Sequence, residues 1–239
     1  PDQDSGSIRM LNLLDLLRSQ GYHVTFIADN LEYVEKYVHQ LQQKGIEVYH
    51  TDWANGSIKS VLKQLGSDLD AVFVCRHYIL KNYIDLLREL APKAKVIFDT
   101  VDLHFVREER EAQLHQNAAL QRASQITRRQ ELALVAKSDV TVVVSEFEKK
   151  LLADLLPQAK VEIISNIHNH EPQRPPYHER EGIIFVGGFR HPPNIDAITW
   201  YANDVLPLLR KLLPGVSTKV VGSNMPDTVR NLAAADLEM

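Results

Sequence analysis

Five short runs rich in β-branched and aromatic residues punctuate the first part of the chain: HVTFI (23–27), IEVYH (46–50), AVFVC (71–75), KVIFD (95–99) and VTVVV (140–144). Between them, around 31–44, 56–65, 79–91 and 105–137, the apolar residues recur at helical spacing. A first helix carries Ile8, Leu11, Leu14 and Leu17 and should stop at Gly21, as the second should stop at Gly45. Short buried strands alternating with helices predict an α/β fold built on a doubly wound parallel sheet over about 23–164. After VTVVV, the stretch SEFE reads as a capping box. Ser145 accepts from the amide of Glu148, and Glu148 reaches back to the amide of Ser145. The strand VEII (161–164) follows. The opening PDQDSGS reads as a turn running into a helix, and such turns usually follow a strand, so a strand is expected upstream of Pro1.

The texture changes at SNIHNHEPQRPPYHERE (165–181), which has three prolines, three histidines and almost no apolar residue. The expected organisation is an amino-terminal domain over 1–166, a linker over 167–181 and a second unit over 182–239. In that unit a strand GIIFV (182–186) and a turn GGFRHPPN lead into a helix N-capped by Asn194. Its apolar stripe is Ile195, Ile198, Val205, Leu209 and Leu212. A strand TKVVG (218–222) and a helix over 226–235 follow, and the chain stops at DLEM on the threshold of a third strand. So small a set of elements does not close a doubly wound domain, which predicts that the second unit is incomplete.

With a net charge of −4, the chain has no overall positive field to attract nucleic acid. Cys75 is the single cysteine, so no internal disulfide forms and a reducing compartment is expected. No apolar run approaches the roughly 20 residues that span a bilayer, and no basic amphipathic helix stands out. The expectation is a cytoplasmic protein, with peripheral association at a membrane surface left open.

In an open parallel sheet, ligands bind beyond the carboxyl ends of the strands. That rule selects three stretches. Ser5, Gly6 and Ser7 at a helix start can offer free amides to an anion, the ordinary alternative being an N-cap with a turn glycine. FDTVDLHFVREERE leaves strand 95–99 with Asp99, Asp102 and His104 clustered. An Asp–His pair can hold an imidazole in one tautomer for acid–base or hydrogen-bonding work, whereas most loop histidines are merely solvated. In FVGGFRHPPN, Gly187 and Gly188 give room, the helix amides near Asn194 bind anions and Arg190 supplies a fixed charge, the alternative being a tight turn with a surface arginine. His168, His170 and His178 lack i, i+4 spacing and a cysteine partner, so no metal is expected.

Taken together, these stretches resemble the glycosyltransferase family 4-like enzymes of GT-B architecture. PDQDSGSIRMLNLLDLLRSQGYHVTFIADN is similar to the family's first turn, helix and second strand, and FDTVDLHFVREERE to its mid-domain loop. AKSDVTVVVSEFEKKLL and VEIISN resemble its last amino-terminal elements. IIFVGGFRHPPNIDAITWYANDVLPLL and KVVGSN resemble the opening of its donor-binding domain. The resemblance implies two Rossmann-like sheets, the second incomplete. It implies retaining, metal-independent transfer of a hexosyl or deoxyhexosyl group, with chemistry in the cleft between the domains. The donor is a nucleotide-sugar and the acceptor a glycan, a lipid-linked molecule or a small molecule; no resident cofactor is implied. Ser5, Gly6 and Ser7 would then face the donor, His104 beside Asp102 would contact the sugar, and Gly187, Gly188, Arg190 and Asn194 would hold the diphosphate. The family's paired donor-site glutamates lie further along than residue 239, so much of the donor pocket is expected to be missing. The alternative is a non-catalytic GT-B-like binding or scaffold module of a larger protein. A nucleotide-sugar epimerase or other dinucleotide enzyme is disfavoured, because no G-x-G-x-x-G turn with a following acidic ribose partner is present.

Overall fold

The computed structural model describes residues 5–52, 56–168 and 175–239. The chain divides into two compact units, Pro1–Asn169 and His170–Met239. Each is α/β, with parallel strands. Among the described residues, no helix is long and apolar enough to cross a membrane.

The first unit opens with α1 (Ser5–Ser19) and continues β1 (Thr25–Ile27), α2 (Glu35–Gln43), β2 (Glu47–Tyr49), α3 (Ile58–Leu65), β3 (Ala71–Cys75) and α4 (His77–Leu90). It closes with β4 (Lys95–Asp99), α5 (His104–Leu114), α6 (Ala118–Lys137), β5 (Val140–Val143), α7 (Glu146–Leu155) and β6 (Val161–Ile163). Gly21 and Gly45 end their helices as expected. Both are left-handed, with φ of 86° and 73°, and the next amides, of Tyr22 and Ile46, donate back to Leu17 O and Leu41 O.

The sheet is not continuous over 23–164. β1 pairs with β2 alone, and β3, β4, β5 and β6 form a separate sheet in chain order. Among the described residues, nothing hydrogen-bonds the free edge of β1 or that of β3, so the ladder breaks between them. In the larger sheet each strand pairs in parallel with the next in the chain through a helical crossover. Its core joins Leu80, Ile84 and Leu87 of α4, Val96 and Phe98 of β4, Val143 of β5 and Leu152 of α7. A second core around β1 and β2 includes Leu14, Val38, Leu41 and Val48. In α1, Leu13 and Leu14 are buried, whereas Ile8 of the expected stripe is exposed.

The helix expected over 105–137 is two helices. Gln116 has φ 47°, and the Asn117 side chain accepts from the amides of Ala119 and Leu120, starting a new helix at Ala118.

The second unit contains β7 (Ile183–Val186), α8 (Pro192–Trp200), a π-helical turn at Tyr201–Val205, α9 (Leu206–Leu212), β8 (Thr218–Val221), α10 (Asp227–Arg230) and β9 (Leu237–Glu238). The strands lie in the order β7-β8-β9. Two features depart from the sequence reading. Pro192 and Pro193 take the first helical positions, so His191 rather than Asn194 is the N-cap of α8. The π turn, just ahead of Pro207, shifts the apolar stripe. Leu206 is buried at 2% exposure, whereas Leu212 is 77% exposed. Pro207 has no N–H to donate back along the helix and would clash with the carbonyl four residues earlier, and the wider turn absorbs this.

Candidate functional site

The carboxyl ends of β3 and β4 release their chains into α4 and α5 after one and four residues respectively. The connection from β4, residues 100–103, is heavily constrained. Val101 has φ 65°, a left-handed conformation that costs a β-branched residue about 1–3 kcal/mol. Three carboxylates hold this segment in place. Asp99 accepts from the amide of Val101 at 3.2 Å. Glu148 of α7 accepts from Leu103 N and Val144 N, each at 3.0 Å. Glu131 of α6, with no exposed surface, accepts from His104 N at 3.2 Å and Phe105 N at 2.8 Å, so it caps α5 from a neighbouring helix. The expected capping box is therefore half formed. Ser145 Oγ accepts from the amide of Glu148, but the Glu148 carboxylate bypasses the Ser145 amide for Val144 and Leu103. The orphan amides of the neighbouring loop outcompete the local one.

Asp99 is a structural residue. It is wholly buried, and Arg9 Nη1 of α1 donates to its Oδ2 at 2.6 Å. Arg9 also donates to Ile164 O at 3.0 and 2.8 Å, tying the ends of β4 and β6 together. Cys75 Sγ lies 3.5 Å from the same carboxylate, and burial drives its thiol above the usual range, which disfavours the nucleophilic thiolate.

His104 and Asp102 are neighbours, though not through the contact the sequence suggested. His104 Nδ1 lies 3.2 Å from the backbone carbonyl of Asp102 and 3.6 Å from its carboxylate. Arg107 Nη1 engages that carboxylate at 2.5 Å. With the proton on Nδ1, it is the carbonyl of Asp102 that sets the tautomer.

The cluster is larger than sequence adjacency indicated. His77, the first residue of α4, stacks edge-to-face on His104 with ring centroids 4.7 Å apart, and Tyr78 lies against both rings. Both imidazoles are buried, at 7% and 5% exposure. His77 Nδ1 lies 3.6 Å and His104 Nδ1 3.8 Å from Glu131 Oε1. His77 Nδ1 is buried without a hydrogen-bond partner. Burial, and then the adjacent His104, push the His77 imidazole down to about 4. Burial likewise lowers His104, against the pull of Asp102. Burial raises the Glu131 carboxyl to about 7, against the amide bonds of Phe105 and His104. Two imidazoles whose charged form is disfavoured and a carboxyl whose pKa is raised thus share one enclosed spot. Sequence reasoning missed His77 and Glu131. CRHYIL leaves a strand at its carboxyl end, so the same rule that found His104 would have selected His77.

The other candidates belong to other elements. Residues 1–4 of the opening turn are outside the described residues. Ser5, Gly6 and Ser7 form the first turn of α1, with helical backbone at Gly6. Ser7 borders a hollow of about 310 Å³ with Met10, Leu11, Phe26, Tyr37 and Val48. In the second unit, a Cβ on Gly187 would sit 3.0 Å from the Asn194 side chain, so Asn194 fills the room that Gly187 leaves. Asn194 Nδ2 donates to Gly188 O at 2.8 Å. Gly188 is open, with Ser223 Oγ 3.7 Å from a built Cβ. Arg190 is exposed and makes no hydrogen bond or ion pair with a described residue. His168 and His178 are exposed, and His170 lies outside the described residues.

No protein-family model matches the chain, and no curated protein matches it.

Proposed function

We propose that the chain acts in glycosyl transfer of the retaining GT-B kind, moving a hexosyl or deoxyhexosyl group from a nucleotide-sugar to a glycan, lipid-linked or small-molecule acceptor. The observation that carries this reading is the pair of buried, neutral imidazoles, His104 and His77, at the carboxyl ends of β3 and β4. They are held by a strained connection and two buried glutamates. Buried polar rings cost stability unless they are satisfied, and the Nδ1 of His77 is not. Such an arrangement suits a ligand rich in hydroxyl groups.

The demanding part of glycosyl transfer is the oxocarbenium-like centre and the departing diphosphate. In this reading His104 hydrogen-bonds a hydroxyl of the transferring sugar, a contact that strengthens as the ring gains positive charge. In the second unit, Arg190 and the first amides of α8 offset the leaving charge with no metal on the phosphates. The nucleotide-sugar is a co-substrate.

The test is His104→Ala in the polypeptide that carries this chain. Turnover should fall at least about tenfold while nucleoside-diphosphate affinity stays within about twofold, the pattern of a contact made in the transition state. Unchanged turnover with the fold intact by circular dichroism overturns the role of His104. Nucleotide-sugar binding without transfer to any acceptor favours a binding module instead.

A further inference from the structure

We propose that His77, His104 and Glu131 form a binding site for one divalent transition-metal ion of the zinc type. The three residues begin α4, begin α5 and lie midway along α6, and their potential ligand atoms all lie within 4.8 Å of one another. It is the one such group among the described residues. Two imidazoles and a carboxylate are the protein ligand set of many zinc sites that keep a fourth position open.

The distances fit. Bonds of about 2.0–2.2 Å at tetrahedral angles separate neighbouring ligand atoms by about 3.3–3.5 Å. Here His77 Nδ1 and His104 Nδ1 stand 3.6 and 3.8 Å from Glu131 Oε1, close to that spacing, and all three ligand atoms lie within 4.8 Å of one another, so closure draws the two rings together by a rotation of their side chains. Glu131 need not abandon its cap. Its Oε2 accepts from Phe105 N and its Oε1 from His104 N, and each carboxylate oxygen keeps a second lone pair. His104 has an alternative, since its Nδ1 can donate to Asp102 O at 3.2 Å, and ligation would replace that bond. His77 has none. Its Nδ1 is buried, without a hydrogen-bond partner, and faces the carboxylate. That unpartnered buried nitrogen is the observation which a solvated cluster does not explain. Burial also keeps both rings neutral, the form that ligates.

An ion here would cross-link the starts of α4 and α5 to α6. Ligation through Nδ1 leaves the proton of His104 on Nε2, as a donor. The inference shares the His77–His104 pair with the glycosyl-transfer reading, but its test is separate, because metal binding is measured without any sugar. All three ligands belong to the first unit.

The experiment is calorimetric titration of the metal-stripped chain with Zn²⁺, paired with thermal melts in the presence and absence of the ion. We expect one ion per chain and a raised Tm. His77→Phe, which keeps a ring in place, and Glu131→Gln, which keeps an acceptor for the α5 amides, should each weaken binding by about tenfold or more. Replacing His168, His170 and His178 together by alanine should leave binding unchanged. Equal affinity in the wild type and His77→Phe overturns the site, as does loss of binding in the triple variant or no binding at all. If Glu131→Gln does not fold, His77→Phe decides.

Discussion

Arg9 and Asp99 lie 2.6 Å apart at 2% and 0% exposure, and neither has water to fall back on. Removing one partner leaves an uncompensated buried charge. Arg9→Met should therefore cost about 3–5 kcal/mol of stability in urea unfolding. Adding Asp99→Leu to that variant should recover part of the loss, since an apolar pair needs no compensation, although Ile164 O still loses its donor. Arg190 is the opposite case, exposed and without a described partner. Arg190→Ala should leave the melting temperature unchanged and, in the glycosyl-transfer reading, weaken nucleoside-diphosphate binding by about 1.5–3 kcal/mol, which calorimetry would read. The strand-end rule found Asp99, Asp102 and His104 in the sequence, because they follow one strand directly. It could not say that Asp99 would be consumed by an arginine 90 residues away, nor that Glu131 would arrive from the middle of a helix 27 residues after His104. Those pairings are made by tertiary packing, and no local spacing encodes them.

At the scale of elements, helix ends marked by glycine were legible, because a left-handed cap is a local conformational demand. The division of 105–137 was legible too, in the asparagine at 117, but helical periodicity on either side masked it. Asn117→Ala removes the acceptor for two amides and should cost about 1 kcal/mol, read as a lower urea midpoint with unchanged slope. The π turn before Pro207 shows why the stripe through Val205 and Leu212 misled. A single wide turn rotates everything after it. In the second unit, the glycine that matters most for packing is Gly222, because a Cβ there would lie 1.8 Å from Gly187 O. Gly222→Ala should part β7 from β8 and cost at least about 2 kcal/mol. Gly188→Ala, with only Ser223 Oγ at 3.7 Å, should be close to neutral in the same unfolding assay.

At the scale of the whole molecule, alternation of strand and helix was enough to predict parallel α/β units, since that pattern leaves few alternatives. It was not enough to predict continuity of the sheet, which depends on what lies beside each strand rather than within it. The second unit shows the same dependence. Ile184, Val186 and Val221 are 65%, 72% and 50% exposed, so one face of its sheet carries exposed apolar side chains beside the Lys219–Glu238 ion pair. Replacing Val186 with lysine should leave the melting temperature nearly unchanged while reducing binding of a fluorescent apolar dye. The free edges of β1 and β3 have a different consequence, for behaviour in bulk. Among the described residues each has a row of backbone donors and acceptors that no strand pairs, and such rows recruit an extended chain that reaches them. A concentrated solution of this chain should therefore scatter more light with time, by growth of backbone-paired assemblies. A short strand-forming peptide added in excess should arrest that growth by occupying the edges first.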